Sequence, residues 1–240
     1  MSVCNVGDCR VILGCRVSGG RTQYSFDGEE EKSEIEDCRS YSETVEEKRR
    51  CIGGKRIAVP LTADHTPNRQ EELERIKLAG AEVKQSDQIE DTNIIYDSEE
   101  QNDDFNNKNL RVFLPEKSHP GATVTRSIGD SALEGIGISS EPEIRSVDLT
   151  ANDDILIIAS NGVFEFLTNQ EVVDICSASC NPLQAGEAVT KAAYNKWIEH
   201  KNRCDDITVI ICFLSRPYQH SSSKNIDMYT AVMVDDHEEE

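Results

Sequence analysis

Two apolar runs of buried-strand length constrain this chain more than anything else in it. One is Ile155-Leu-Ile-Ile-Ala, which leads into Ser160-Asn161-Gly-Val-Phe-Glu165, and the other is Ile207-Thr-Val-Ile-Ile-Cys-Phe-Leu214, which follows Arg203-Cys-Asp205-Asp206. A short, continuous apolar run is covered on both faces when it forms a strand, so each belongs inside a layered sheet. The polar residues at their ends then fall on the sheet's rim. Asn161, Glu165 and Asp205 offer hard oxygen donors there, the kind that Mg²⁺ and Mn²⁺ take together with several waters. Taken singly, the same residues are better explained by strand-end solvation and helix capping.

The rest of the pattern alternates strand with helix. Thr168-Asn-Gln-Glu171 has the spacing of a capping box and predicts a helix over 172–176. Thr66-Pro67 predicts a helix opening with proline in its first turn, running through Leu73, Ile76 and Ala79 and stopping at Gly80. Asn181-Pro182 predicts another, with Leu183, Ala185, Ala188, Val189, Ala192 and Ala193 as its apolar stripe. Two stretches break the alternation, residues 18–55 with Glu29-Glu-Glu-Lys and Glu46-Glu-Lys-Arg-Arg50, and residues 85–109 with Asp97-Ser-Glu-Glu100. Neither holds enough apolar residues to offset its ordering entropy, so both are read as acidic insertions into one domain over 1–214. Residues 215–240, Ser-rich and ending Asp235-Asp-His-Glu-Glu-Glu240, are read as a disordered acidic tail.

Composition excludes several classes. Asp plus Glu number 45 against 25 Lys plus Arg, and a net charge of −20 repels nucleic acid and anionic membrane alike. No run of 18 apolar residues offers a membrane span, and the first 20 residues lack a signal-peptide core. Nine cysteines without paired Cys-x-x-Cys spacing point to reduced thiols and a cytoplasmic or nuclear setting. Cys4, Cys9, Cys15 and Cys212 lie in strand-like runs and are read as small core residues.

Three local features invite other chemistry. Cys4-Asn-Val-Gly-Asp-Cys-Arg10 has the Cys-x5-Arg spacing of cysteine-dependent phosphatases, but Asp8 inside that loop would repel both thiolate and phosphate. Arg126 and Asp130 are read as an ion pair holding a turn, against phosphate binding as the alternative. His65, in Asp64-His-Thr-Pro67, is read as a turn or capping residue.

Six segments in order carry a resemblance: Asn5-Val-Gly-Asp8-Cys-Arg10, Leu61-Thr-Ala-Asp64-His-Thr-Pro67, Thr125-Arg126-Ser-Ile-Gly-Asp130, Ser140-Glu-Pro-Glu143, and the two strand-and-rim segments above. Together they resemble the C-terminal two-thirds of the catalytic domain of the metal-dependent type 2C (PPM-type) protein serine/threonine phosphatases. The resemblance implies an α+β fold, a β-sandwich of two mostly antiparallel sheets flanked by helices (αββα), with its N-terminal part missing. It also implies a two-metal Mg²⁺ or Mn²⁺ site at one end of the sandwich, where metal-activated water hydrolyses phosphoserine or phosphothreonine. Asp205 matches the family's core metal ligand, Asp8 and Glu165 match the pair that holds an accessory metal, and Asn161 stands where the family has a ligand Asp.

Two departures limit what the resemblance implies. The metal-bridging Asp-Gly-His-Gly-Gly segment is absent, and Phe26-Asp-Gly28 is followed instead by Glu29-Glu-Glu31. An amide at 161 removes a full charge beside a dication, about 4 kcal/mol at 4 Å and an effective dielectric near 20. The expectation is a weakened metal site and a phosphatase that is weak or inactive as this chain. The alternative is a non-catalytic relative that binds phosphorylated proteins or another partner. Strands 11–13 and 207–214 are further expected to have lost neighbours and to self-associate through the exposed edges.

Overall fold

The computed structural model describes residues 1–16, 55–85, 110–117, 121–214 and 227–234. Both acidic insertions, except for their end residues Lys55 and Gln85, lie outside the described residues, as does Phe26-Asp-Gly28. The elements run β1 (Ser2–Asn5), β2 (Arg10–Arg16), β3 (Arg56–Pro60), α1 (Gln70–Leu78), β4 (Glu82–Gln85), β5 (Leu110–Phe113), β6 (Gly121–Ala122), α2 (Ser131–Glu134) and β7 (Glu143–Ser146). They continue with β8 (Asp153–Ala159), α3 (Asn161–Phe164), α4 (Asn169–Ala178), α5 (Pro182–Lys201), β9 (Ile207–Phe213) and β10 (Asp227–Val234).

Two compact units divide the chain, one formed by Met1, 10–61 and 147–240 and the other by 2–9 and 62–146. The first unit is built on a five-stranded sheet of order β10-β9-β8-β2-β3, every pairing antiparallel. One face of β8 and β9 presents Ile155, Ile157, Ala159, Ile207, Val209 and Ile211 to the core. Val172, Val173 and Cys176 of α4 and Ala185, Val189, Ala193 and Trp197 of α5 close that core from the helical side. Period-2 strands meeting 3.6-period helices explain why these particular positions are buried.

At the far end of this sheet, β8 begins with two buried acids. The Asp154 carboxylate accepts from Arg16 at 2.6 Å and from the fully buried Arg56 at 2.8 Å. Asp153 accepts from the Cys15 thiol at 2.9 Å, and this bond adds to burial in pushing the thiol well above its ordinary range. Two groups on the outer edge of β3 are taken by one side chain: Gln170 of α4 accepts from the Ala58 N–H at 2.9 Å and donates to the Arg56 carbonyl at 3.0 Å.

The second unit holds a two-stranded ribbon, β1 with β7, and a three-stranded sheet, β4-β5-β6, again antiparallel throughout. Ile76, Val112, Leu133, Ile136 and Ile138 form its core. The expected α+β class with antiparallel sheets is thus present. Among the described residues the strands form three sheets instead of two, because no described strand joins the β1-β7 ribbon to β4-β5-β6.

Four expectations need correction. Residues 227–234 of the supposed disordered tail form β10, a strand of the main sheet. β2 and β9 are not unpaired, since each has a neighbour on both sides, so neither supplies an edge for self-association. Cys15 and Cys212 are buried as expected, whereas Cys4 and Cys9 are exposed. The helix after Thr66-Pro67 starts at Gln70, because the chain first turns with the Arg69 N–H on the Thr66 carbonyl and Arg69 itself is extended.

Candidate active-site rim

Antiparallel pairing of Ala159 with Val209 brings the end of β8 and the start of β9 to the same rim of the five-stranded sheet. Ser160 fastens them. Its N–H donates to the Thr208 carbonyl at 3.0 Å and its hydroxyl to the Asp206 carbonyl at 3.1 Å, while the Thr208 N–H donates to the Ser160 hydroxyl at 3.0 Å. Asn161 then opens α3, and Glu165 caps it, with its N–H on the Asn161 carbonyl at 3.0 Å. Gly162 explains how close the two segments come. A β-carbon there would stand 2.3 Å from the Asp206 carbonyl oxygen, a spacing that only glycine allows.

The rim's side chains are open to solvent: Asn161, Glu165, Asp205 and Asp206 are all exposed. The Asp205 carboxylate accepts from the Asp206 N–H at 2.9 Å, which fixes its direction. Behind the rim, Trp197 donates from its indole Nε1 to the Gly162 carbonyl at 2.7 Å, and Phe166 packs edge-on against it. Arg10 lies 4.8 Å over the Phe164 ring and donates to Asn169 at 3.1 Å, tying α3 to the start of α4. The capping box read at Thr168 and Glu171 is formed in both directions, at 2.7 and 3.2 Å.

Asn161, Glu165 and Asp205 therefore share the first unit, and the first and last of these are held on adjoining segments of one rim. Asp8 belongs to the second unit. Among the described residues, no three or more His, Cys, Asp or Glu side chains form a group that could hold a metal ion. The donors are of the right chemistry for Mg²⁺ or Mn²⁺, but as described they do not complete a two-metal site.

The second unit contains two ionic hubs that sequence reading missed. Glu72, almost fully buried, accepts from Arg126 at 2.7 Å, from Arg75 at 2.8 Å and from the Thr125 hydroxyl at 2.6 Å. Burial alone would raise its pKa, but the hydrogen bonds from Arg126, Arg75 and Thr125 outweigh it and hold the carboxyl well below the usual range. Arg126 also donates to the Glu141 carbonyl at 3.0 Å, so it is committed to Glu72 and Glu141 and not to Asp130. In the other hub, Glu143 accepts a bidentate pair from Arg69 at 2.8 and 2.9 Å and meets His65 Nε2 at 3.3 Å. His65 is fully buried, and burial followed by the nearby Arg126 charge lowers its pKa.

The protein phosphatase 2C family matches residues 48–201, and the chain belongs to that family. It is 39% identical over 158 residues to "Probable protein phosphatase 2C 35" of Arabidopsis thaliana, an alignment that covers 65% of this chain and 45% of that protein. To "Probable protein phosphatase 2C 64" of Oryza sativa subsp. japonica it is 32% identical over 204 residues, covering 82% of this chain and 44% of the relative. The chain spans about half the length of the curated relatives it matches. Its fold is that of the crystal structure of serine-threonine phosphatase 2C from Toxoplasma gondii, with a TM-score of 0.57 at 18% identity, over 88% of this chain and 54% of the other.

Proposed function

We propose that this chain serves the dephosphorylation of phosphoserine and phosphothreonine in proteins, as a type 2C hydrolase dependent on Mg²⁺ or Mn²⁺, and that the isolated chain is a weak catalyst. One observation carries the reading: the Ser160 and Gly162 clamp holds Asn161 beside Asp205-Asp206 on an exposed rim. A scaffold built to this tolerance suits a group that must meet a ligand in fixed geometry. Weakness follows from the neutral amide at 161 and from the incomplete set of described donors. An acidic composition with reduced cysteines supports a cytoplasmic or nuclear setting.

The same amide favours a second reading, a non-catalytic module that binds phosphorylated proteins. Hydrolysis of p-nitrophenyl phosphate in millimolar Mn²⁺ separates the two. For the phosphatase reading, Asn161→Asp raises Mn²⁺-dependent turnover by about tenfold or more, and adding Asp205→Ala abolishes the gain. Turnover indifferent to both positions, with phosphopeptide binding retained, leaves the binding module standing.

A further inference from the structure

His65 is buried completely, yet both ring nitrogens are engaged. The Gly7 N–H donates to Nδ1 at 3.2 Å, which requires Nδ1 to be unprotonated. Nε2 therefore carries the proton and faces the Glu143 carboxylate at 3.3 Å. The backbone repeats the connection, with the His65 N–H on the Gly7 carbonyl at 3.0 Å and the Thr125 N–H on the His65 carbonyl at 2.7 Å. Asn5, at the end of β1, donates its side-chain amide to the Gly7 carbonyl at 3.1 Å, and the same Asn5 is the register partner of Glu143 on β7. Gly7 has φ +103°, a backbone state that other residues rarely adopt, and His65 engages both its N–H and its carbonyl.

The residue that leaves this turn is Asp8. We infer that His65 is a positioning residue: through its Nδ1 it fixes the Gly7-Asp8 turn and so sets the direction in which Asp8 is presented. The functional half of this inference rests on reading Asp8 as a working carboxylate of the phosphatase. Its structural half does not.

Two substitutions divide the imidazole into its parts. His65→Asn places an amide oxygen near the Nδ1 position and keeps an acceptor for Gly7 while losing the donor to Glu143. His65→Gln places an amide NH₂ near the Nε2 position and keeps the donor to Glu143 while losing the Gly7 acceptor. Amide exchange by NMR should show Gly7 and Asp8 exchanging about tenfold faster in His65→Gln than in His65→Asn, the loss of one hydrogen bond. Exchange at Val112, in the core of the same unit, corrects for general destabilisation. Equal exchange at Gly7 and Asp8 in the two variants, after that correction, overturns the inference. Titrating the same samples with Mn²⁺ tests the reading of Asp8 separately. A parent protein whose Asp8 amide is not broadened by Mn²⁺ overturns the functional half, while the exchange contrast still decides the structural half.

Discussion

Gly162 is where a single hydrogen atom decides the geometry of the rim. Any β-carbon there must displace the Asp206 carbonyl, which Ser160 also holds. Gly162→Ala is therefore expected to cost about 3 kcal/mol, read as a lower urea midpoint at unchanged slope. Gly135→Ala is the control, since nothing lies within 4 Å of its β-carbon and its φ is −62°. That change should be neutral or stabilise by about 0.5 kcal/mol, by restricting the unfolded chain. Glu72 and His65 make the second residue-scale prediction, concerning pH. Glu72 is held below its ordinary pKa, so the stability it gives is present above about pH 4.3 and is lost as pH falls through that value toward the folded pKa. His65 is likewise lowered, so its contribution is present above about pH 6.5 and declines below it as the unfolded chain takes up the proton first. Urea midpoints should fall in two stages on acidification. Glu72→Gln should shrink the lower stage, leaving the part due to Glu143, which Arg69 also holds below the ordinary range, at a cost of about 3 kcal/mol at pH 7 for breaking the hub. A single-stage profile in the parent, or one unchanged in Glu72→Gln, would count against the assignment.

At the scale of elements, the edges of the main sheet matter most. Among the described residues β10 lies on one side and β3 on the other, and the outward Ala58 N–H and Arg56 carbonyl of β3 are taken by the Gln170 amide. Gln170→Ala would expose those groups as a pairing template. Sedimentation should then show a concentration-dependent dimer absent from the parent, and a monomer at every concentration would show that Gln170 has no such role. The elements themselves were legible in the sequence to unequal degrees. β8 and β9 announced themselves as apolar runs, α4 by its capping box, and α5 by Asn181 and Pro182, whose cap bond is formed at 2.9 Å. β10 escaped because eight strand residues sit inside a segment otherwise dominated by Ser and acid. The start of α1 shifted because the chain first turns at Thr66 to Arg69, and Arg69 also pairs with Glu143, a partner 74 residues away that no local pattern can reveal. The rim was readable, since strand ends fix where Asn161 and Asp205 go. The Glu72 and Glu143 hubs were not, because Arg126 and His65 lie 54 and 78 residues from their partners.

At the scale of the whole molecule, the described residues carry two separate cores, and their surroundings are unlike. β8 and β9 are interior strands backed by α4 and α5, whereas the core of the second unit rests on a three-stranded sheet and shorter helices. Amides over 155–158 and 209–211 should exchange slowest, with Val112 and Phe113 roughly tenfold faster; uniform exchange would instead make the two units one cooperative block. Trp197 offers a way to watch the rim within that larger frame. It is the chain's one tryptophan, only 5% exposed, bonded to the Gly162 carbonyl and flanked by Phe166 and by Arg203 at 5.9 Å. Indole fluorescence is sensitive to such contacts, because a broken N–H bond, a displaced ring or a shifted cation each alters the indole's surroundings. The protein thus comes with an optical probe already installed beneath Asn161, and a cation or phosphopeptide settling on that rim should change the light it emits.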